Sequence, residues 1–96
     1  MRLDLFLKTS RLVPRRSVAQ EFCDANLISV NEVAAKSSKE VKAGDVIEIK
    51  RPTRSTRVRV RQVPTSKQVS KDAAAELYEI IEESVIDNDP LSSGYR

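Results

Sequence analysis

Pro14-Arg15-Arg16-Ser17-Val18-Ala19-Gln20-Glu21-Phe22-Cys23-Asp24-Ala25-Asn26-Leu27-Ile28-Ser29-Val30 changes period part-way along. Val18, Ala19, Phe22 and Cys23 recur as one helical face, which predicts a helix over about 14–25 with that stripe buried. Pro14 suits a first helical position. Asn26 tolerates the left-handed conformation that closes a helix. Leu27-Ile28-Ser29-Val30 then reads as a short strand. Arg15 and Arg16 fall in the first helical turn, where the helix dipole is already positive. Something must compensate them, and a phosphate does so better than solvent.

Working outward, Leu3, Phe6 and Leu7 form an apolar stripe on a short helix over about 2–9. Asp4 and Lys8 are spaced as an i,i+4 pair on another face. Residues 10–14 break this helix at Pro14. On the other side, Asn31-Glu32 is a turn candidate without glycine, and Val33-Ala34-Ala35 is the return strand. Lys36-Ser37-Ser38-Lys39 is a basic loop, and Lys42-Ala43-Gly44-Asp45 turns into the alternating strand Val46–Lys50. After the basic loop 51–55, residues 56–63 alternate again. Val58, Val60 and Val63 point inward, while Arg57, Arg59 and Arg61 point outward. Two readings stay open for those arginines: charges guarding an edge strand, or a surface that faces a polyanion such as RNA. Residues 64–70 read as a linker. Ser70 is a good N-cap for an acidic helix with an apolar stripe of Leu77, Ile80 and Ile81. The expected organisation is therefore α+β. A domain over 1–63 packs two N-terminal helices on a short, mostly antiparallel sheet. A linker and C-terminal acidic helix occupy 64–86, and 87–96 form a disordered tail.

The 96 residues bound the answer to one small domain with an appendage. The lone cysteine, Cys23, cannot form an internal disulfide and fits a reducing compartment. It reads as a small buried hydrophobe. No apolar run reaches the length of a membrane span, and no signal peptide is legible, so a cytoplasmic location is expected. Histidine is absent, which removes Ser-His and Cys-His catalysis and His-containing metal sites, and there is no glycine-rich phosphate loop. The chain is not expected to be an enzyme or to need a cofactor. Its net charge of +3 is unevenly spread. Residues 1–71 hold 16 Lys/Arg against 7 Asp/Glu, and residues 72–96 hold 1 against 7. A basic body of this kind points to a polyanion partner.

Arg2-Leu3-Asp4, Arg16-Ser17-Val18-Ala19, Ile28-Ser29-Val30-Asn31 and Val41-Lys42-Ala43-Gly44-Asp45-Val46-Ile47, in that order and spacing, resemble the S-four-type (alpha-L) RNA-binding domain over about residues 1–50. With Ser10-Arg11-Leu12 and Ala34-Ala35-Lys36-Ser37-Ser38, the chain is similar to the small ribosome-associated heat-shock and quality-control family. That resemblance implies binding to large-subunit ribosomal RNA and the neighbouring tRNA. The setting it implies is a stalled large ribosomal subunit carrying peptidyl-tRNA. There the family supports tailing of the nascent chain beside a tRNA-recruiting factor. The family usually has glycine where this chain has Asn26 and Glu32.

On charge and resemblance together, the RNA-binding residues are Arg2, Lys8, Arg11, Arg15, Arg16, Lys36, Ser37, Lys39 and Lys42. Arg51, Arg54, Arg57, Arg59 and Arg61 are a candidate extension, and Asp4 orients Lys8 or a nearby arginine. The scarcity of aromatics favours a folded RNA read by shape and backbone over a stacked single strand. The expected protein is a monomer. Two alternatives are a regulatory RNA-binding protein without a ribosome role, and an adaptor that uses the C-terminal helix.

Overall fold

The computed structural model describes residues 1–65 and 69–85. The elements are α1 (Leu3–Thr9), α2 (Arg16–Asp24), β1 (Ile28–Val30), β2 (Val33–Ala34), β3 (Val46–Lys50), β4 (Arg54–Val60), α3 (Lys71–Ala75) and β5 (Tyr78–Val85). The strands form one antiparallel sheet in the order β2-β1-β3-β4-β5. This is the expected α+β arrangement, with two N-terminal helices packed on the sheet.

Periodicity dictates the core. Leu3, Phe6 and Leu7 of α1 are fully buried, and so is Ala19 of α2. Val18 and Phe22 pack at the margin of the same cluster. Alternate strand residues meet them from below. Ile28 pairs with Ile49, and Val30 with Ile47, which in turn pairs with Val58. Cys23 lies in this core, and burial, with the nearby charges of Asp4 and Asp24, pushes its thiol up to about 11. It is the small buried hydrophobe expected, and its thiolate is strongly disfavoured.

α2 starts at Arg16, two residues later than the expected opening at Pro14. Val13 is fully buried and its N–H donates to the Leu7 carbonyl, which holds the link between the helices outside helical geometry. At the other end Asn26 has φ 61°. Its N–H donates to the Cys23 carbonyl, and the Leu27 N–H reaches back to Phe22. This is the paired closure of a left-handed helix cap.

The β1–β2 turn is tight although it contains no glycine. Asn31 and Glu32 both have positive φ, 52° and 69°, as a type I′ hairpin turn requires. Asn31 is held from outside. Its N–H donates to the Val46 carbonyl, and its side-chain oxygen accepts from the Val46 N–H. Glu32 has no such compensation among the described residues. A non-glycine residue in this region costs roughly 1–2 kcal/mol, against which glycine adds about 0.4–1 kcal/mol of unfolded-state entropy. Glu32→Gly is therefore expected to stabilise the domain by about 0.5–1 kcal/mol, read as a higher urea midpoint with unchanged slope.

The C-terminal segment overturns the expected acidic helix. Ser70 does cap a helix, accepting from the Ala73 N–H, but that helix ends at Ala75. Residues 78–85 are a strand paired along β4. Of the expected stripe only Leu77 is buried, whereas Ile80 and Ile81 are largely exposed. Two causes favour the strand. Tyr78, Ile80, Ile81 and Val85 are β-formers, and the outer edge of β4 needs hydrogen-bond partners. Glu79, Glu82 and Glu83 also lie against arginines of β4. β4 is consequently interior, between β3 and β5, so the edge-guard reading of its arginines does not hold. The tail expected over 87–96 lies outside the described residues.

Candidate nucleic-acid interface

Asp4 is the centre of the candidate site. Its position on α1, between the buried Leu3 and Phe6, turns its carboxylate into the α1–α2 junction, where it has no solvent exposure. Gln20 Nε2 donates to Oδ2 at 2.8 Å, and Arg16 Nε donates to the same oxygen at 3.2 Å. Arg2 Nε lies 3.4 Å from Oδ1, and the Leu5 N–H donates to Oδ1 at 2.8 Å. Burial pushes the carboxyl pKa up, but the hydrogen bonds from Gln20 and Arg16, the Arg16 charge and the Leu5 N–H outweigh it, so Asp4 titrates below its usual value. Its stabilising contribution is present above the unfolded-state pKa and is lost only as the pH falls through the lowered folded one.

Asp4 therefore contacts both Arg2 and Arg16. Lys8 is not among its partners, which corrects the i,i+4 pairing read from spacing. The compensation that Arg16 needs at the start of α2 also comes from within the chain. Gln20 went unnoticed in the sequence. Its signal was the i,i+4 spacing from Arg16, which puts both on one face of α2.

The loop after β2 closes on the same place. The Leu3 N–H donates to the Lys39 carbonyl at 2.7 Å, and the Asp4 N–H to the Ser37 carbonyl at 3.1 Å. Two free N–H groups of the α1 N-terminus are thus satisfied by the loop. The backbone of Arg2 forms an isolated antiparallel β-bridge with Glu40, and the Glu40 carboxylate accepts from the Met1 amine at 2.6 Å. The fold in this way gathers Arg2, Arg16, Lys36, Ser37 and Lys39 around the first turn of α1, with Arg15 next to Arg16 as the N-cap of α2. Arg15, Lys36 and Lys39 are exposed and have no ion-pair partner among the described residues. The same is true of Lys8, at the far end of α1, and of Lys42, beyond Val41. Arg11 stands apart, with Nη2 3.4 Å from the Val69 carbonyl.

The arginines of the candidate extension have a different environment. Arg57 lies 3.6 Å from both Glu48 and Glu82, Arg59 lies 3.4 Å from Glu79, and Arg54 lies 3.5 Å from Glu83. Arg51 donates from Nη2 to the Leu12 carbonyl at 2.7 Å, tying the β3–β4 turn to the link between the helices. Arg61 is exposed beyond the end of β4 and has no ion-pair partner among the described residues.

The S4 domain family matches residues 1–47, the stretch that contains α1, α2, the β1–β2 hairpin and the loop after it. The RQC P-site tRNA stabilizing factor of Streptococcus pneumoniae is 41% identical over 87 residues, covering 91% of this chain and 97% of that protein. The chain belongs to the RQC P-site tRNA stabilizing factor family. The Bacillus subtilis member is 40% identical, covering 86% of this chain and 94% of its own length. Among solved structures, trimeric heat shock protein 15 of Vibrio cholerae superimposes with a TM-score of 0.76 at 26% identity, covering 83% of this chain and 80% of that one. The solution structure of a hypothetical protein, HP1423, superimposes with a TM-score of 0.70 at 32% identity, covering 93% of this chain and all of that one. The likeness to RQC P-site tRNA stabilizing factors runs past residue 47, so it includes the arginine strand as well as the S4 domain.

Proposed function

We propose that the chain is a non-catalytic RNA-binding protein of ribosome-associated quality control. In this reading it binds structured large-subunit ribosomal RNA and the adjacent P-site tRNA on stalled large subunits that carry peptidyl-tRNA. It would thereby support nascent-chain tailing beside a tRNA-recruiting factor. The names of its relatives supply the setting. The observation that carries the RNA-binding part is the pair of arginines, Arg2 and Arg16, set on one buried carboxylate beside the exposed Arg15, Lys36 and Lys39. Arginine's planar donor fork suits phosphate. The β4 arginines contribute less, because Glu48, Glu79, Glu82 and Glu83 already take up their charge.

Arg16→Ala tests this reading. The side chain is 41% exposed but partners the buried Asp4 carboxylate, so its loss should lower the melting temperature modestly and leave the fold intact, because Gln20, Arg2 and the Leu5 N–H still hold that carboxylate. Co-sedimentation with large ribosomal subunits should fall. The slope of log affinity against log salt should flatten by about one unit. Undiminished recovery on large subunits would remove this face as the RNA surface.

A further inference from the structure

We propose that Asp4 is the positioning residue of this face, and that it works by occupying one edge of the Arg16 guanidinium so that the other edge is free for a phosphodiester. The inference rests on the RNA-binding reading above. Arg16 meets Asp4 through Nε alone, at 3.2 Å. Its Nη1/Nη2 edge has no protein partner among the described residues, and the side chain is 41% exposed. A guanidinium has five donors in a fixed plane. Holding Nε on a carboxylate that cannot move therefore fixes the direction of the opposite edge, which is the edge that grips phosphate with two parallel hydrogen bonds.

The anchor is immobile for three reasons. Asp4 is fully buried, its Oδ1 is tied to the Leu5 N–H, and Gln20 shares Oδ2 with Arg16. Gln20 is a second positioning residue by the same geometry. Arg2 converges on the same carboxylate, with Nε 3.4 Å from Oδ1. One negative charge thus gathers two positive ones, and the cluster remains cationic toward a ligand. Arginine is required at position 16 by this division of labour. A lysine offers a single nitrogen on a flexible stem, and it cannot reproduce an Nε contact on one side and a two-point grip on the other.

The charge argument and the positioning argument predict opposite signs for Asp4→Asn, which makes the test sharp. Removing a negative charge beside an RNA surface should tighten binding if only net charge matters. Removing the anchor should weaken it. Binding of wild type, Asp4→Asn, Arg16→Ala, Arg16→Lys and the Asp4→Asn/Arg16→Ala double variant to purified large ribosomal subunits would be titrated at several salt concentrations. The expected result is a loss of about tenfold for Asp4→Asn with a flatter salt dependence, and a similar loss for Arg16→Lys. In the Arg16→Ala background, Asp4→Asn should cost well under half of its effect in the wild type, because its main dependant is already gone.

Arg16→Lys keeps the proposal testable if Asp4→Asn proves unstable by thermal melting, since a surface lysine should fold normally. If Asp4→Asn or Arg16→Lys binds as tightly as wild type while Arg16→Ala is weakened, the anchor is overturned and the RNA face stands. If Arg16→Ala itself binds like wild type, the RNA reading of this face fails and takes the anchor with it.

Discussion

Replacing Phe6 by alanine is expected to lower the folding stability by roughly 3–5 kcal/mol, out of a total of about 5–15 kcal/mol for a domain of this kind. Phe6 is the largest of the fully buried side chains among the described residues. It lies in the cluster that joins α1 to α2 and to the sheet residues Ile28, Ile47 and Ile49. The void left by the ring cannot fill easily. α1 is fixed at its N-terminus by the carbonyls of Ser37 and Lys39, and the Val13 N–H is tied to its Leu7 carbonyl. Urea unfolding should show the loss as a lower midpoint with an unchanged slope. The melting temperature should fall by about 15–30 °C. Ile81→Ala serves as the contrast. That side chain is 39% exposed, and its loss should cost under about 1 kcal/mol. Because α1 carries Asp4 and Arg2, RNA binding by the Phe6 variant should weaken in step with unfolding. A cost for Phe6→Ala below about 1 kcal/mol would mean that α1 is not seated in the core as described.

Changing Glu79, Glu82 and Glu83 together to lysine is the second large effect expected. Each glutamate sits 3.4–3.6 Å from an arginine of β4. In the pairing register Arg57 faces Glu82 and Arg59 faces Glu79 directly. Reversal removes three cross-strand attractions and installs three repulsions, each worth about 0.2–1 kcal/mol, for a total cost of roughly 1–6 kcal/mol. The cost should shrink in high salt, because these charges are partly exposed and screened. Substituting Arg54, Arg57 and Arg59 by glutamate in the same chain should recover most of the lost melting temperature. Recovery depends on register, and a helix over 73–83 would present these glutamates on several faces and give no such restoration. Thermal melts of the two triple variants and their combination decide the matter. A combined variant no more stable than the glutamate reversal alone would argue against β5 lying on β4.

Much of the molecule was legible because local period and tertiary role agree. Leu3, Phe6 and Leu7 had to share a helical face, and that face had only one core to enter. Ile47 and Ile49 had to share a sheet face, and Asn26 was an evident left-handed cap. Arg16 could be named as a candidate site residue from charge and motif. Its true partner could not. Asp4 has two plausible uses on an isolated helix: an i,i+4 bond to Lys8, or an inward turn toward another element. Only the packing of α1 on α2 brings Arg16 and Gln20 within reach and decides for the second.

The C-terminal segment shows where the sequence alone stops. Ala73-Ala74-Ala75 and the glutamates favour a helix locally, and Leu77, Ile80 and Ile81 imitate a helical stripe. The competing signal, β-branched residues and an acidic series that matches the arginines of β4, has meaning only once β4 lies alongside. Hydrogen bonding to an open strand and cross-strand ion pairing are long-range terms, and together they outweigh a weak local propensity. By itself the sequence determined the two helices, the β1–β2 hairpin, β3 and the basic character of the body. The tertiary structure decided the partners of the arginines, because packing of α1 on α2 brings Arg16 to the buried Asp4 while pairing with β5 sets Arg54, Arg57 and Arg59 against glutamates.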